Sequence, residues 1–343
     1  MSSQGQPAKD TVRWGILSTA RINRALIGPL EASPRSELVA VASRTFDGAQ
    51  EYAKENSIPR AFGSYEEMLA DPEIDAVYIS LPNHLHCEWS VAAAESGKHV
   101  LCEKPLVLTL AELYRIEAAT LANSVTLFEA FMYLHHPQTR RLQEMVRSGQ
   151  LGRLEKIRSH FSFELPASKS DNIRLQADMG GGSLWDIGVY PVSFSVVMAD
   201  AGLPDEVSAT QSTGDTGVDI DFDGEMRFAN GVVAHISCSF RQPLKMEATL
   251  IGNERTVTVD EPWKPGAEGK ESEVHSRGPD GEKDTVVFPA VDPYRCEVAA
   301  MEACILDGAA PVVPLTLSKR ILRTVLALYE SAESGRPVVL SPD

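Results

Sequence analysis

Over roughly its first 130 residues the chain alternates short apolar runs with stretches of helical spacing, and this alternation limits the fold more than any other feature. Val12–Leu17, Glu37–Ala42, Ala76–Leu81, His99–Cys102 and Val125–Phe128 read as strands. Asp47–Asn56, Tyr65–Ala70, Leu85–Ser96 and Leu110–Leu121, lying between them, read as helices. Strands separated by helices of this length need crossover connections, which makes them parallel neighbours in one doubly wound sheet. Their nearly unbroken apolar character fits burial on both faces.

Beyond residue 150 the pattern changes. Leu154–Leu165 opens as a long strand and Ser183–Met198 reads as a helix. Val218–Phe228, Gly231–Phe240, Ala248–Gly252 and Thr256–Val259 follow as strands joined by short turn signals, which implies a largely antiparallel sheet. Lys264–Lys283, rich in glycine, proline and charge, reads as an exposed loop. Glu297–Leu306 and Leu317–Ser334 read as closing helices. The expected architecture is α/β followed by α+β: an N-terminal Rossmann domain with a parallel sheet, then a domain on an open, largely antiparallel sheet. A length of 343 residues suits two such units sharing a cleft. The expected division is a disordered lead-in over 1–10, a cofactor domain over 11–133 and a substrate and oligomerisation domain over 134–343.

Charge narrows the function. Thirty-two basic against forty-eight acidic residues leave a net charge of −16, which argues against nucleic acid as a partner because such proteins need a basic surface to displace counterions. No apolar run reaches the roughly 18 residues of a membrane span, and the polar start lacks the apolar core of a signal peptide. The five cysteines are scattered without a CxxC pair or zinc spacing, so free thiols and a cytoplasmic location are expected.

In a Rossmann domain a dinucleotide crosses the carboxyl ends of the strands, with its pyrophosphate at the N-terminus of the first helix. Ser18, Thr19, Ala20, Arg21 and Ile22 occupy that turn without any of the usual glycines. Position makes them cofactor-binding candidates; an ordinary strand-to-helix turn is the alternative. The second strand ends at Ser43, Arg44 and Thr45, where a carboxylate would read the ribose hydroxyls of NAD. A guanidinium between two hydroxyls suits the 2′-phosphate of NADP instead. Lys104, after the fifth strand, is suited to bind a reacting oxygen and stabilise developing negative charge on it, and Pro105 accommodates a cis bond. Asp186 and Tyr190 are spaced to share one helix face. With Lys104 lowering the phenol's pKa, the two form a candidate proton relay, and Asp186 a candidate orienting group. Arg174, just before a run of three glycines, is a candidate substrate contact, as is Tyr133 as part of the substrate wall. His135 and His136 are adjacent, diverge and lack a third ligand, so no metal is expected.

These residues together resemble the Gfo/Idh/MocA oxidoreductase family. The resemblance runs through WGILSTARI (14–22), VASR (41–44), DAVYISLPNHLH (75–86), GKHVLCEKP (97–105), EAFMYLHHPQ (129–138) and GGGSLWDIGVYP (180–191). It implies a catalytic lysine at Lys104, a substrate-binding aspartate at Asp186, a cofactor segment at Leu81, Pro82, Asn83 and His86, and Glu103 near the nicotinamide ribose. It also implies a homo-oligomer, dimer or tetramer, joined through the C-terminal sheet. Tyr190, at a position often held by histidine, resembles the branch of dihydrodiol dehydrogenases, NADP-dependent xylose dehydrogenases and sugar ketoreductases. The resulting expectation is NADP(H)-dependent oxidation or reduction of a sugar or cyclic diol, with NAD the poorer cofactor. A nucleotide-sugar ketoreductase and a non-catalytic NADP sensor or scaffold stay open as alternatives.

Overall fold

A computed structural model describes residues 10–166 and 171–341. Apart from Asp10, the lead-in expected over 1–10 lies outside the described residues, as do residues 167–170 of the loop before the glycine run. The first sheet contains β1 (Val12–Leu17), β2 (Ser36–Ala42), β3 (Arg60–Phe62), β4 (Ala76–Ile79), β5 (His99–Glu103) and β6 (Leu127–Ala130), all parallel in the order β3-β2-β1-β4-β5-β6. The order turns back between β1 and β4, which opens a crevice at their carboxyl ends where such folds bind ligands.

Helices α1 (Asn23–Ala32), α2 (Phe46–Glu55), α3 (Tyr65–Leu69), α4 (His86–Glu95) and α5 (Leu110–Asn123) make the crossovers. Local signals set several of their starts. Ser64 caps α3, and Thr109 with Glu112 forms a reciprocal capping box on α5, satisfying amides that have no partner within the helix. His136 caps α6 (Pro137–Arg147), whose first residue is a proline fit for that position.

The second sheet has nine strands. β7 (Leu154–Ser162), β8 (Glu206–Thr213), β9 (Asp219–Arg227), β10 (Val233–Ser239), β11 (Lys245–Gly252), β12 (Thr256–Val259), β13 (Ser272–Arg277), β14 (Lys283–Phe288) and β15 (Val338–Val339) lie in the order β14-β13-β12-β11-β7-β10-β9-β8-β15. Among the described residues of this sheet only β7 and β10 pair in parallel; the other ladders are antiparallel. α7 (Val189–Ala199) and α9 (Leu315–Ser334) cover one face, burying Phe194, Val325 and Leu328 against Phe222, Ile236 and Leu250.

The loop expected over Lys264–Lys283 is corrected here: it contains β13, which pairs with β12 and β14. Ser272, Val274 and Ser276 turn inward and Glu273, His275 and Arg277 outward, so a two-residue period is present. Serines at two of three inward positions hid it from a hydrophobicity reading. β3, β8 and α6 were not foreseen either, and the last parallel strand begins at Leu127 rather than Val125.

α8 (Pro293–Asp307) leaves the second sheet and returns to the first. Val298 and Met301 are buried with Val12, Trp14 and Leu30. Ser33 and Ser36 both donate to Glu302, at 2.6 and 2.5 Å, and Arg35 pairs with Asp307. This late helix therefore brings side chains to the crevice made by the first 130 residues. Among the described residues no helix is long and apolar enough to cross a membrane.

Candidate active site

The crevice is a cleft of about 460 Å³ between the carboxyl ends of the parallel strands and the second sheet. Its floor is the turn after β1. Ser18 adopts φ +113°, a region that favours glycine, and its own network holds it there. The Ser18 hydroxyl lies 2.8 Å from Ser80 Oγ and accepts the Ala20 amide at 3.2 Å, while Asn23 Nδ2 donates to the Ser18 carbonyl at 2.9 Å. Ser80 Oγ in turn donates to Asn23 Oδ1 at 2.5 Å. Three side-chain polar groups thus replace conformational freedom, which explains how a turn without glycines keeps its shape. Ser80 and Asn23 were missed because nothing in their local sequence marks them as partners of Ser18.

Ala20, Arg21 and Ile22 line the cleft ahead of α1, whose N-terminus presents the positive end of the helix dipole; the amides of Asn23, Arg24 and Ala25 bond back to the carbonyls of Ala20, Arg21 and Ile22. Thr19 is exposed, and Ser18 is buried with its hydroxyl already engaged. At the end of β2, Thr45 accepts the Gly48 amide at 3.3 Å and is occupied in capping α2. Ser43 is half-buried, and Arg44 is exposed with no ion pair among the described residues. This set fits a dinucleotide with a phosphorylated ribose: the positive end of a helix for the pyrophosphate, then an exposed guanidinium at the end of β2 for the extra phosphate.

Glu103 ends β5 and Lys104 follows it, and the Lys104–Pro105 bond is cis. Lys104 Nζ donates to the Asp186 carbonyl, lies 3.4 Å from Asp186 Oδ1 and stands 5.1 Å above the Tyr190 ring centre. Arg174 Nε donates to Asp186 Oδ2 at 2.6 Å. Burial alone would push the Asp186 carboxyl up, but the charges and hydrogen bonds of Lys104 and Arg174 outweigh it and hold the group below the usual carboxylate range. The four side chains named from sequence, Lys104, Asp186, Tyr190 and Arg174, thus share one wall of the cleft.

Tyr190 differs from expectation in its electrostatics. It is buried, its hydroxyl lies 3.8 Å from the thioether of Met132, and the ammonium faces its ring rather than its oxygen. Burial, with the fields of Tyr294, Glu103 and Asp186, pushes the phenol well above its usual pKa of 10. Tyr190 therefore carries its proton. The helix expected over Ser183–Met198 begins as a π-helical turn, Leu184–Gly188, before α7, so Asp186 and Tyr190 do not share a regular helix face.

Other expected residues fall elsewhere. Tyr133 lies behind the wall, fully buried, with its hydroxyl on Ser193 at 2.7 Å and its ring against Tyr190 and Trp263; it does not reach the cleft. His86 is buried with its ring nitrogens on the carbonyls of Pro105 and Leu81, at 2.8 and 2.7 Å, so it braces the cofactor segment instead of facing it. Leu81 and Asn83 do line the cleft; Pro82, between them, is not among the lining residues. Asn83 also donates to the Gly180 carbonyl at 2.9 Å. Glu103 lines the cleft and accepts the Tyr78 hydroxyl at 2.5 Å; burial raises its carboxyl, against Lys104. Met132, Phe161, Phe163, Leu244, Lys264 and Tyr294 also line the cleft, and of these only Met132 falls in a motif, EAFMYLHHPQ (129–138). Among the described residues no group of three or more His, Cys, Asp or Glu could hold a metal ion.

Glu129 lies behind Lys104. Its buried carboxyl accepts the Leu106 amide at 2.9 Å, and burial pushes its pKa up to about 7. A carboxyl raised in the folded state favours folding below its unfolded pKa of 4.5, and that contribution is lost as pH rises through 7. Glu129→Gln is therefore expected to match the wild type in stability at pH 5 and exceed it by about 1–3 kcal/mol at pH 8. Thermal unfolding at the two pH values checks this. A variant equally or less stable at pH 8 would mean that the carboxylate is better accommodated than its burial implies.

Residues 12–131 match a family model described as the oxidoreductase family with an NAD-binding Rossmann fold, and residues 139–258 match the GFO/IDH/MocA C-terminal domain. The chain is 38% identical over 328 residues to D-xylose 1-dehydrogenase (NADP(+)) 2 of Haloferax volcanii, covering 95% of this chain and 99% of that protein. It is 33% identical to trans-1,2-dihydrobenzene-1,2-diol dehydrogenase of Danio rerio, over 72% of this chain and 74% of that one. Among solved structures it superposes with a TM-score of 0.84 on KijD10, a 3-ketoreductase from Actinomadura kijaniata in complex with NADP and TDP-benzene, at 30% identity, covering 94% of this chain and 98% of that chain. The chain belongs to the GFO/IDH/MocA family of oxidoreductases.

Proposed function

We propose that the protein is an NADP(H)-dependent oxidoreductase acting on a carbinol or carbonyl carbon of a sugar or cyclic diol. The observation that carries the reading is the cluster of Lys104, Asp186, Arg174 and protonated Tyr190 on the cleft wall, reached from the same crevice as the turn of Ser18 to Ile22. In this reading that turn holds the pyrophosphate, Ser43 and Arg44 hold the 2′-phosphate, and Leu81, Asn83 and Glu103 flank the nicotinamide riboside. Bound nicotinamide supplies or accepts the hydride. Lys104 Nζ binds the substrate oxygen and stabilises negative charge developing on it. Tyr190 Oη gives its proton to that oxygen in reduction and takes it back in oxidation. Asp186, kept ionised by its two cations, accepts a hydrogen bond from a neighbouring hydroxyl, and Arg174 fixes the carboxylate's orientation. The named relatives, an NADP-dependent xylose dehydrogenase and a dihydrodiol dehydrogenase, support this substrate class.

Arg44 gives the cofactor part a direct test. A charge-assisted bond to phosphate contributes about 1.5–3 kcal/mol, so Arg44→Ala should weaken NADP binding by about 10–150-fold and change NAD binding less than about twofold. Calorimetric titration of both cofactors measures this. Equal losses for the two would remove Arg44 as the phosphate reader.

A second reading, reduction of a keto sugar carried on a nucleotide, is favoured by Lys264, an exposed cation on the cleft lining where a diphosphate could be bound. Rates with free aldoses, cyclic diols and keto sugar nucleotides, each with product identification, separate the two. A homo-oligomer joined through the face of the nine-stranded sheet opposite α7 and α9 belongs to the proposal, as does a cytoplasmic location; the five free cysteines support the latter.

A further inference from the structure

The segment that carries Asp186 and Tyr190 is gripped at its start by a carboxylate from another strand. Asp219, the first residue of β9, is buried. Its Oδ2 accepts Ser183 Oγ at 2.6 Å and the Leu184 amide at 2.8 Å, and its Oδ1 accepts Tyr329 Oη from α9 at 2.8 Å. Gly182 fits the same carboxylate: its φ is +130°, and a Cβ there would come within 2.2 Å of Asp219 Oδ1. Tyr329 also packs its ring on Trp185, with centroids 5.5 Å apart. A buried carboxylate is costly unless its oxygens are satisfied, and here the donors come from the segment's first two residues and the covering helix.

The turn held in this way is π-helical, a geometry that is rare and recurs at functional sites. If it relaxed by one residue toward α geometry, the side chains beyond would turn by about 100° around the axis. Asp186 would then leave Lys104 and Arg174, and Tyr190 would leave the face of the ammonium. The sheet's own ladder gives no reason for a carboxylate here, since Asp219 pairs in register with Thr213 at a β-bulge.

We propose that Asp219, with Ser183 and Tyr329, is a positioning clamp that sets the register of the π-turn and so keeps Asp186 and Tyr190 against Lys104. The clamp's effect on rate rests on the function proposed above; its effect on the turn does not. Hydrogen exchange of the peptide spanning 183–190 therefore tests it without reference to turnover. Asp219→Ala and Tyr329→Phe should both speed exchange there while leaving NADP dissociation constants within about twofold. Asp219→Ala should lower kcat by about 30–100-fold, in line with a displacement of about 1 Å of reacting groups. Tyr329→Phe, which removes one outer bond, should lower it by about 3–10-fold. Asp219→Asn keeps an acceptor for Ser183 and Leu184 and should recover most of the rate. Unchanged exchange in Asp219→Ala and Tyr329→Phe would overturn the clamp. So would parallel losses of kcat, cofactor affinity and melting temperature in Tyr329→Phe, which would mark a general structural role. Altered exchange in a protein whose wild type shows no turnover would keep the clamp and reject the proposed function.

Discussion

Lys104→Ala is expected to lower kcat by about 10²–10⁴-fold while leaving NADP(H) affinity within a few-fold. The ammonium is the positive group on the cleft wall between Asp186 and the Tyr190 ring, and among the described residues no other lysine pairs with that carboxylate. Its loss removes the charge that stabilises an alkoxide-like oxygen. Asp186 would remain ionised only through Arg174, and its carboxyl would rise from its depressed value toward the usual range. The acid limb of the residual rate should therefore move to higher pH in Lys104→Ala. Steady-state rates from pH 4 to 9, with cofactor affinity measured separately, check both parts. A variant that kept wild-type kcat would leave Lys104 a structural cation.

Tyr190→Phe should produce a loss of similar size, about 10²–10⁴-fold in kcat, with little change in melting temperature. The stability half follows from the hydroxyl's surroundings. The hydroxyl meets the sulfur of Met132 at 3.8 Å, a weak acceptor, while the ring's packing against Phe131, Tyr133, Phe161 and Trp263 is preserved in phenylalanine. The activity half follows from the proton. Because burial holds the phenol protonated past its usual pKa of 10, the reduction direction should lose no activity to Tyr190 ionisation below that pH. Equal rates in the wild type and Tyr190→Phe would show that solvent or another acid supplies the proton.

The parallel sheet was legible in the sequence because each crossover unit carries its own local pattern: apolar runs for β1, β2, β4 and β5, separated by stretches of helical spacing. β3 was not, since three half-buried residues give too short a run for a periodicity to register. β13 was hidden by inward serines, which put no apolar residue at two of its three buried positions. Among site residues, Lys104, Asp186 and Tyr190 were visible through motifs within single segments. Tyr294 and Asp219 were not, because their places depend on long-range packing: α8 returning to the first sheet, and β9 meeting the start of the π-turn. Tyr133 shows the reverse error. The sequence reading makes it part of the substrate wall, yet its neighbour Met132 faces the cleft and Tyr133 turns into the aromatic core. The glycine-less turn at Ser18 had two readings in sequence; its positive-φ conformation is held by Ser80 and Asn23, residues that no local signal ties to it.

Absorbance at the nicotinamide band, followed with purified protein, NADP or NAD, and a panel of aldoses, inositols and cyclic diols, tests the central claim most directly. The account predicts reduction of NADP with at least one of these hydroxyl compounds and much slower reduction of NAD. NADP that binds tightly but shows no absorbance change across the panel, and no oxidation of NADPH with the matching carbonyl compounds or keto sugar nucleotides, would contradict it and leave a cofactor-binding protein without this chemistry.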